Sequence, residues 1–220
     1  MPHLITNLNP TEPNWARAAL LTIDMQQDFA SPQGTGFVPG TDKILPAFAN
    51  LVGVFRKSKL PILHAIRLYL EDGSNAERCR QQMLQSGLSL ARPGTSGARA
   101  VEAILAAATP DTSLALLAGE YLELGPSEWL FYKPRWSAFY NTGLEERLRA
   151  LEVDTVVVAG CNFPNCPSAT LFDATERNFR VVLVSDAVSG LAEAGLRWCT
   201  GIGVTPLTVD QVQAHILARG

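Results

Sequence analysis

The chain is poor in the side chains that most often bind transition metals. It contains three histidines and four cysteines, and their spacing includes no H-x-x-x-H, D-x-H or C-x-x-C pair. A resident metal is therefore not expected, and no motif indicates another cofactor. Gly34 and Gly36 lack the third glycine and the strand-to-helix setting of a dinucleotide-binding motif. The cysteine spacing is also unlike that of a small secreted domain, which favours reduced thiols and a cytoplasmic location.

Long apolar runs and an excess of basic residues are absent too. No hydrophobic stretch approaches the length of a membrane span, and residues 1–6 lack the basic-then-apolar order of a signal peptide. The net charge of −3 provides no electrostatic basis for binding nucleic acid or an anionic membrane. We therefore expect the partner to be a small molecule.

Alternating buried strands and amphipathic helices make up most of the chain. Hydrophobic residues occupy 47% of the 220 positions, enough for one domain over residues 1–220 with residues 1–14 as an N-terminal arm. Six strands are predicted: Ala18–Ile23, Pro61–Ile66, Trp129–Tyr132, Thr155–Ala159, Arg180–Asp186 and Val204–Leu207. Helices are predicted behind an N-cap at Asp42, from Glu77 to Gln85, from a capping box at Thr142, and from Val101 to a stop at Pro110. This alternation predicts an α/β fold with a mostly parallel sheet and helices on both faces.

Three polar residues follow predicted strands at the point where each strand ends. They are Asp24, Arg67 and Lys133. Open α/β sheets bind ligands in the crevice outside the carboxyl ends of their strands, so these side chains are candidates for one site. Each also has an ordinary alternative, since aspartate favours loops and caps while arginine and lysine usually remain at the surface.

Cys166 lies where a buried strand gives way to a helix, within the segment Gly160–Thr170. A cysteine on the first helical turn is exposed to the positive end of the helix dipole, which favours the thiolate. The alternative is a small buried apolar residue, which is the most frequent environment of a free cysteine.

The carboxyl ends of neighbouring parallel strands share one edge, so Asp24, Lys133 and Cys166 can meet there. In that case Asp24 is expected to act as general base, while Lys133 stabilises the thiolate and keeps Asp24 ionised. Backbone N–H groups of the turn from Gly160 to Cys166 can form an oxyanion hole. Attack of the sulfur on a carbonyl carbon then gives a thioester that water hydrolyses.

Three segments together resemble the isochorismatase-like cysteine hydrolases. They are Ile23–Phe29, Lys133–Phe139 and Gly160–Cys166, and the resemblance extends over roughly residues 15 to 207. It implies a three-layer, Rossmann-like α/β/α sandwich around a six-stranded, mainly parallel sheet, assembled as a homo-oligomer, a dimer or tetramer. It also implies that Asp24, Lys133 and Cys166 are the catalytic triad. A non-proline cis peptide, common in the family, maps to Cys161–Asn162 and aims the N–H groups of Asn162 and Cys166 at one oxyanion.

The resemblance leaves the substrate open, because the turn sequence Asn-Phe-Pro-Asn-Cys-Pro departs from the family's common pattern. The metal-binding Asp/His set of the nicotinamidase branch has no counterpart, while the thiol favours hydrolysis of a C–N bond in an amide, carbamoyl or ureido compound. One alternative is a vinyl-ether hydrolase in which Asp24 acts as an acid. Another is a non-catalytic scaffold or ligand-binding subunit. Candidate substrate-binding residues are Phe29, Arg67, Trp136 and Phe163.

Overall fold

A central sheet of seven strands forms the middle layer of the fold in a computed structural model that describes residues 9–105 and 110–218. The strands are β1 Ala18–Ile23, β2 Ile62–Ile66, β3 Leu122–Gly125, β4 Glu128–Tyr132, β5 Thr155–Gly160, β6 Arg180–Val188 and β7 Val204–Leu207. Their order across the sheet is β3-β4-β2-β1-β5-β6-β7. Only the β3–β4 pair is antiparallel among these strands. The predicted α/β class with a mostly parallel sheet is confirmed.

Successive residues of the central strand β1 pack into different cores on the two faces of the sheet. Ala18 and Leu20 belong to one hydrophobic cluster, and Ala19, Leu21 and Ile23 belong to the other. This division follows from the two-residue period of a strand. All six β1 residues are buried because both faces are covered, which explains the continuous apolar run in the sequence.

Helices cover both faces of the sheet. They are α1 Gln27–Ala30, α2 Thr41–Lys57, α3 Arg78–Gln85, α4 Ser113–Leu117, α5 Leu144–Ala150, α6 Cys166–Glu176, α7 Glu193–Gly201 and α8 Val209–Ala218, with a short 3₁₀ helix at Trp15–Arg17. The apolar sides of α2 and α8 pack into the first core. Those of α5, α6 and α7 pack into the second. The arrangement is the three-layer sandwich that the sequence predicted.

The predicted count of six strands is one short. The strand that was missed, β3, lies at the edge of the sheet, and none of its four residues is fully buried. It therefore has no apolar run to reveal it. Of the predicted arm, residues 1–8 lie outside the described residues, while Asn14 donates hydrogen bonds to Thr155 and Asp154 at the start of β5.

Two predicted helix starts were displaced. Gly40, with a left-handed φ of 92°, precedes α2, so Asp42 lies in the first turn and is not the N-cap. Gly143 likewise precedes α5, and the Thr142 hydroxyl accepts a hydrogen bond from Leu144 N. The helix predicted from Val101 was wrong for residues 101–105, which form turns, and residues 106–109 lie outside the described part.

A buried polar network crosses β1, β2 and β4 away from the sheet edge. Nδ1 of His64 lies 2.7 Å from Thr22 Oγ1, and Nε2 lies 2.9 Å from Glu128 Oε1. Burial lowers the pKa of His64, which is therefore neutral at pH 7. An ionised carboxylate can only accept, so Nε2 carries the proton and Nδ1 accepts from Thr22. Burial alone would raise the pKa of Glu128, but hydrogen bonds from Arg56 and His64 outweigh it and lower that pKa to about 2.

Candidate active site

The sheet brings three polar side chains to its carboxyl edge. Asp24 follows β1, Arg67 follows β2 and Lys133 follows β4, and these strands are consecutive in the sheet. The parallel ladders continue past the strand ends, since Asp24 N donates to Ala65 O and Lys133 N donates to Ile66 O, each over 2.9 Å. Backbone pairing thereby fixes the positions of Asp24 and Lys133 relative to β2.

Asp24 and Lys133 form a buried ion pair. Lys133 Nζ lies 2.9 Å from Asp24 Oδ2, and the side chains are 0% and 5% exposed for Lys133 and Asp24 respectively. The other carboxylate oxygen, Oδ1, has no partner in hydrogen-bond geometry among the described residues. It is therefore the oxygen that is free to accept a proton. The backbone of Asp24 has a left-handed φ of 51°, a conformation that aspartate tolerates better than most residues.

Cys166 begins α6 and is 6% exposed. The chain reaches it through Gly160, whose φ of +126° and close approach to Ile23 exclude a side chain. Cys161 N donates to Ile23 O over 2.8 Å, which attaches the turn to the end of β1. The Thr170 hydroxyl donates to Cys166 O and accepts from Ala138 N, so it connects the helix of the thiol with the segment that follows Lys133.

The Cys166 thiol is protonated in this environment. Burial and the negative charge of Asp24 raise its pKa to about 12, and the opposing effects of Lys133 and Arg67 are smaller. A hydrogen bond from the thiol to Asp24 also raises the pKa, because it stabilises the protonated Cys166. The helix start and the Lys133 ammonium favour the thiolate, but burial outweighs both.

The turn before Cys166 presents backbone donors toward the same region. The Cys161–Asn162 peptide is cis. Among the described residues, no protein acceptor takes the N–H group of either Asn162 or Cys166. The N–H of Phe163, in contrast, donates to Ser189 O over 2.7 Å. Two N–H groups without a protein acceptor therefore lie in the turn that leads to Cys166.

A cavity of about 200 Å³ opens onto these groups. The residues that line it include Asp24, Cys161, Asn162, Asn165 and Cys166, together with Phe29, Val38, Arg67 and Tyr69. Of the four predicted substrate-binding residues, the structure therefore places Phe29 and Arg67 in its wall. Trp136 and Phe163 do not line it within the described part of the chain: Trp136 is 37% exposed, and Phe163 packs edge-on against Trp198 in the second core.

Part of the cavity wall was not predicted from the sequence. Arg80, Met83, Leu88 and Leu90 come from the segment after β2 that includes α3, and they line the same cavity. Their signal in the sequence is weak because the segment is polar and broken by glycines. A larger groove of about 640 Å³ lies beside Asp28, but it contains neither the thiol nor the Asp24–Lys133 pair. The Asp28 carboxylate there already accepts from the N–H groups of Thr35 and Ala91.

Metal-ligating clusters and membrane-spanning helices are both missing from the part of the chain that the structure describes. Within residues 9–105 and 110–218, no group of three or more His, Cys, Asp or Glu side chains could hold a metal ion. No helix in the same ranges has the length and apolar character needed to cross a membrane.

A family model described as the isochorismatase domain matches residues 18–198. The match runs from β1 into α7 and includes Asp24, Lys133 and Cys166. The chain belongs to this family, as the three sequence segments predicted.

Individual relatives place the chain more closely. A probable inactive nicotinamidase of Arabidopsis thaliana is 28% identical over 177 residues, covering 80% of this chain and 82% of the plant protein. The ureidoacrylate amidohydrolase RutB of Methylobacterium radiotolerans is 28% identical over 190 residues, covering 78% of this chain and 67% of RutB. The crystal structure of an isochorismatase family protein from Desulfovibrio vulgaris superposes with a TM-score of 0.77 at 32% sequence identity. The match covers 92% of this chain and 99% of the Desulfovibrio protein. Amidohydrolases are thus among the relatives of this chain.

Proposed function

We propose that the protein hydrolyses a C–N bond in a small amide, carbamoyl or ureido compound through a thioester on Cys166. The observation that carries the proposal is the buried Asp24–Lys133 pair, which has one carboxylate oxygen without a partner among the described residues and shares a cavity with the Cys166 thiol. A base with an unoccupied oxygen, a nucleophile that still holds its proton and a fixed counter-ion are the components that nucleophilic acyl transfer requires.

The first half-reaction forms the thioester and releases the nitrogen. Asp24 accepts the thiol proton as the sulfur of Cys166 attacks the carbonyl carbon. The carbonyl oxygen becomes an oxyanion, to which the N–H groups of Asn162 and Cys166 donate. The C–N bond then breaks, and Asp24 returns the proton to the departing nitrogen. Ammonia or an amine leaves, and the acyl group remains bound to sulfur.

The second half-reaction hydrolyses the thioester. Asp24 takes a proton from a water molecule as its oxygen attacks the thioester carbon, and the same N–H pair stabilises the second oxyanion. The C–S bond breaks, Asp24 returns the proton to the sulfur, and the acid product leaves. Lys133 places its positive charge 2.9 Å from Asp24 Oδ2 and thereby balances the charge of the carboxylate.

The raised pKa of Cys166 fits this sequence. A neutral thiol next to the Asp24–Lys133 ion pair means that these three side chains together bury no excess charge. Proton transfer to Asp24 accompanies attack on the substrate. The helix start and Lys133 then act on the sulfur as negative charge develops there.

The test is ammonia release across a panel of small amides, carbamoyl compounds and ureido acids. For any compound that is turned over, Cys166→Ala and Cys166→Ser should each lower kcat by at least about 10³-fold. Cys79→Ala is the matched control, since Cys79 is exposed and outside the site. Near-normal turnover by both Cys166 variants would exclude a thioester. Turnover that is lost in Asp24→Asn but survives in Cys166→Ala would show that Asp24 works without the thiol, as the vinyl-ether alternative requires.

A further inference from the structure

The charged side chains that line the cavity give it an excess of positive charge. They are Asp24, Arg67 and Arg80. Asp24 is neutralised by Lys133 at 2.9 Å, so the two arginines decide the net charge that a ligand encounters.

Arg67 is buried and only partly satisfied. It is 1% exposed, its Nη2 pairs with Glu77 Oε2 over 2.9 Å, and its Nη1 donates to Lys133 O over 3.3 Å. Its guanidinium lies 4.6 Å above the ring centre of Tyr69. Its Nε has no hydrogen-bond partner among the described residues. A buried donor without a partner is unfavourable, and a ligand acceptor in the cavity would remove that penalty.

Arg80 reaches the same place from α3. Its Nε lies 3.9 Å from the same Glu77 oxygen, and its guanidinium lies 6.0 Å from the Tyr69 ring centre. One carboxylate therefore serves two guanidinium groups, and its shorter contact is with Arg67. Two guanidinium groups share this one carboxylate, so one positive charge is in excess beside the cavity, and Arg80 makes the longer of the two contacts.

We infer that the substrate carries one carboxylate and that Arg80 is a specificity-determining residue for it. The inference rests on the proposed hydrolase function. Arg67 and Arg80 line the same cavity as Cys166, so one small ligand can meet both the arginines and the thiol. A cavity of about 200 Å³ is small. The substrate class is therefore a short monoanionic amide acid or ureido acid, with its C–N carbonyl at Cys166 and its carboxylate at Arg67 and Arg80.

The probes are succinamate, a monoanion, and succinamide, its uncharged counterpart. Wild-type protein should show the higher kcat/KM for succinamate. Arg80→Met should raise KM for succinamate by about 10- to 100-fold, the loss expected for one charge-assisted hydrogen bond, with a much smaller change in kcat. The same variant should leave succinamide turnover nearly unchanged, and Arg80→Lys should recover part of the affinity. Arg78→Met is the control, because Arg78 is exposed on the same helix and does not line the cavity.

The outcomes separate this inference from the hydrolase proposal. Equal use of both probes, with Arg80→Met lowering both alike, would overturn the inference and leave the hydrolase intact. If no compound in the wider panel releases ammonia, the hydrolase proposal fails, and binding then decides the inference. In calorimetry, succinamate should bind Arg80→Met at least about tenfold more weakly than wild type. Equal binding, or no binding to wild type, would reject the monoanion site.

Discussion

The Asp24 carboxylate and the Lys133 ammonium are 2.9 Å apart, although they extend from β1 and β4, which are separated in the sheet by β2. The pair therefore spans the strand that carries Arg67. Its burial means that neither charge is solvated by bulk water, so each depends on the other. Lys133 Nζ has one further contact, with Arg135 O at 3.2 Å.

Removing one member of this pair should destabilise the fold more than removing both. We expect Asp24→Asn to lower the free energy of unfolding by about 3–5 kcal/mol, because Lys133 is then buried without a counter-ion. Asparagine also tolerates the left-handed backbone at this position, so the loss reports the charge. The double variant with Lys133→Met should be more stable than Asp24→Asn. Urea denaturation of wild type, the two single variants and the double variant measures the coupling energy of the pair. If the two single losses simply add in the double variant, the prediction is wrong.

Asp24→Asn should also make the Cys166 thiol more acidic while removing activity. The negative charge of Asp24 is second to burial among the causes that raise this pKa to about 12. In a Cys79→Ala background, the rate of alkylation by iodoacetamide against pH should shift to lower pH in Asp24→Asn. In wild type at a pH of about 8, Cys166 should alkylate more slowly than exposed Cys79. Fast alkylation of Cys166 in wild type would contradict the protonated resting state.

His64 should make the fold sensitive to mild acid. Its pKa is lowered in the folded protein, so the unfolded chain takes up its proton first as the pH falls. Its contribution to stability is complete above its ordinary value of 6.5 and decreases as the pH falls through the lowered pKa. Glu128 adds a second loss between 4.5 and about 2. Urea midpoints against pH should show the first loss in wild type and in the control His215→Gln, which changes an exposed histidine, but not in His64→Gln.

Gly160→Ala should be strongly destabilising, whereas Gly53→Ala should not. A Cβ at Gly160 would lie 2.1 Å from Ile23 O, and its φ of +126° is unfavourable for alanine. We expect a loss of at least about 2 kcal/mol in the free energy of unfolding. Gly53 lies inside α2, and a Cβ there would meet nothing within 4 Å, so alanine should add about 0.5–1 kcal/mol. Thermal denaturation of both variants checks the contrast.

The site residues that could be predicted from the sequence are those that directly follow a buried strand. Buried parallel strands leave continuous apolar runs, and the first polar residue after each run lies at the sheet edge. This rule is sufficient to locate Asp24, Arg67 and Lys133. Edge strand β3 escaped it because half-exposed residues leave no such run. The predicted cytoplasmic location and homo-oligomeric state stay predictions.

Properties that depend on depth or on distant packing could not be predicted from the sequence. Trp136 and Phe163 are close in sequence to Lys133 and Cys166, yet neither lines the cavity in the described part of the chain. The raised pKa of the Cys166 thiol could not be predicted for a related reason. Position at a helix start is visible in sequence, whereas the extent of burial that raises the pKa is not.

The two tasks assigned to the cavity belong to separate stretches of chain. The reacting groups extend from the central strands and α6, while Glu77 and Arg80 belong to a segment between β2 and β4 that contributes no strand to the centre of the sheet. Substitutions in that segment can change which molecules enter without moving the base or the nucleophile. A lineage could in this way acquire new substrates through mutations in α3 and its flanking loops, while the costly buried ion pair is inherited unchanged.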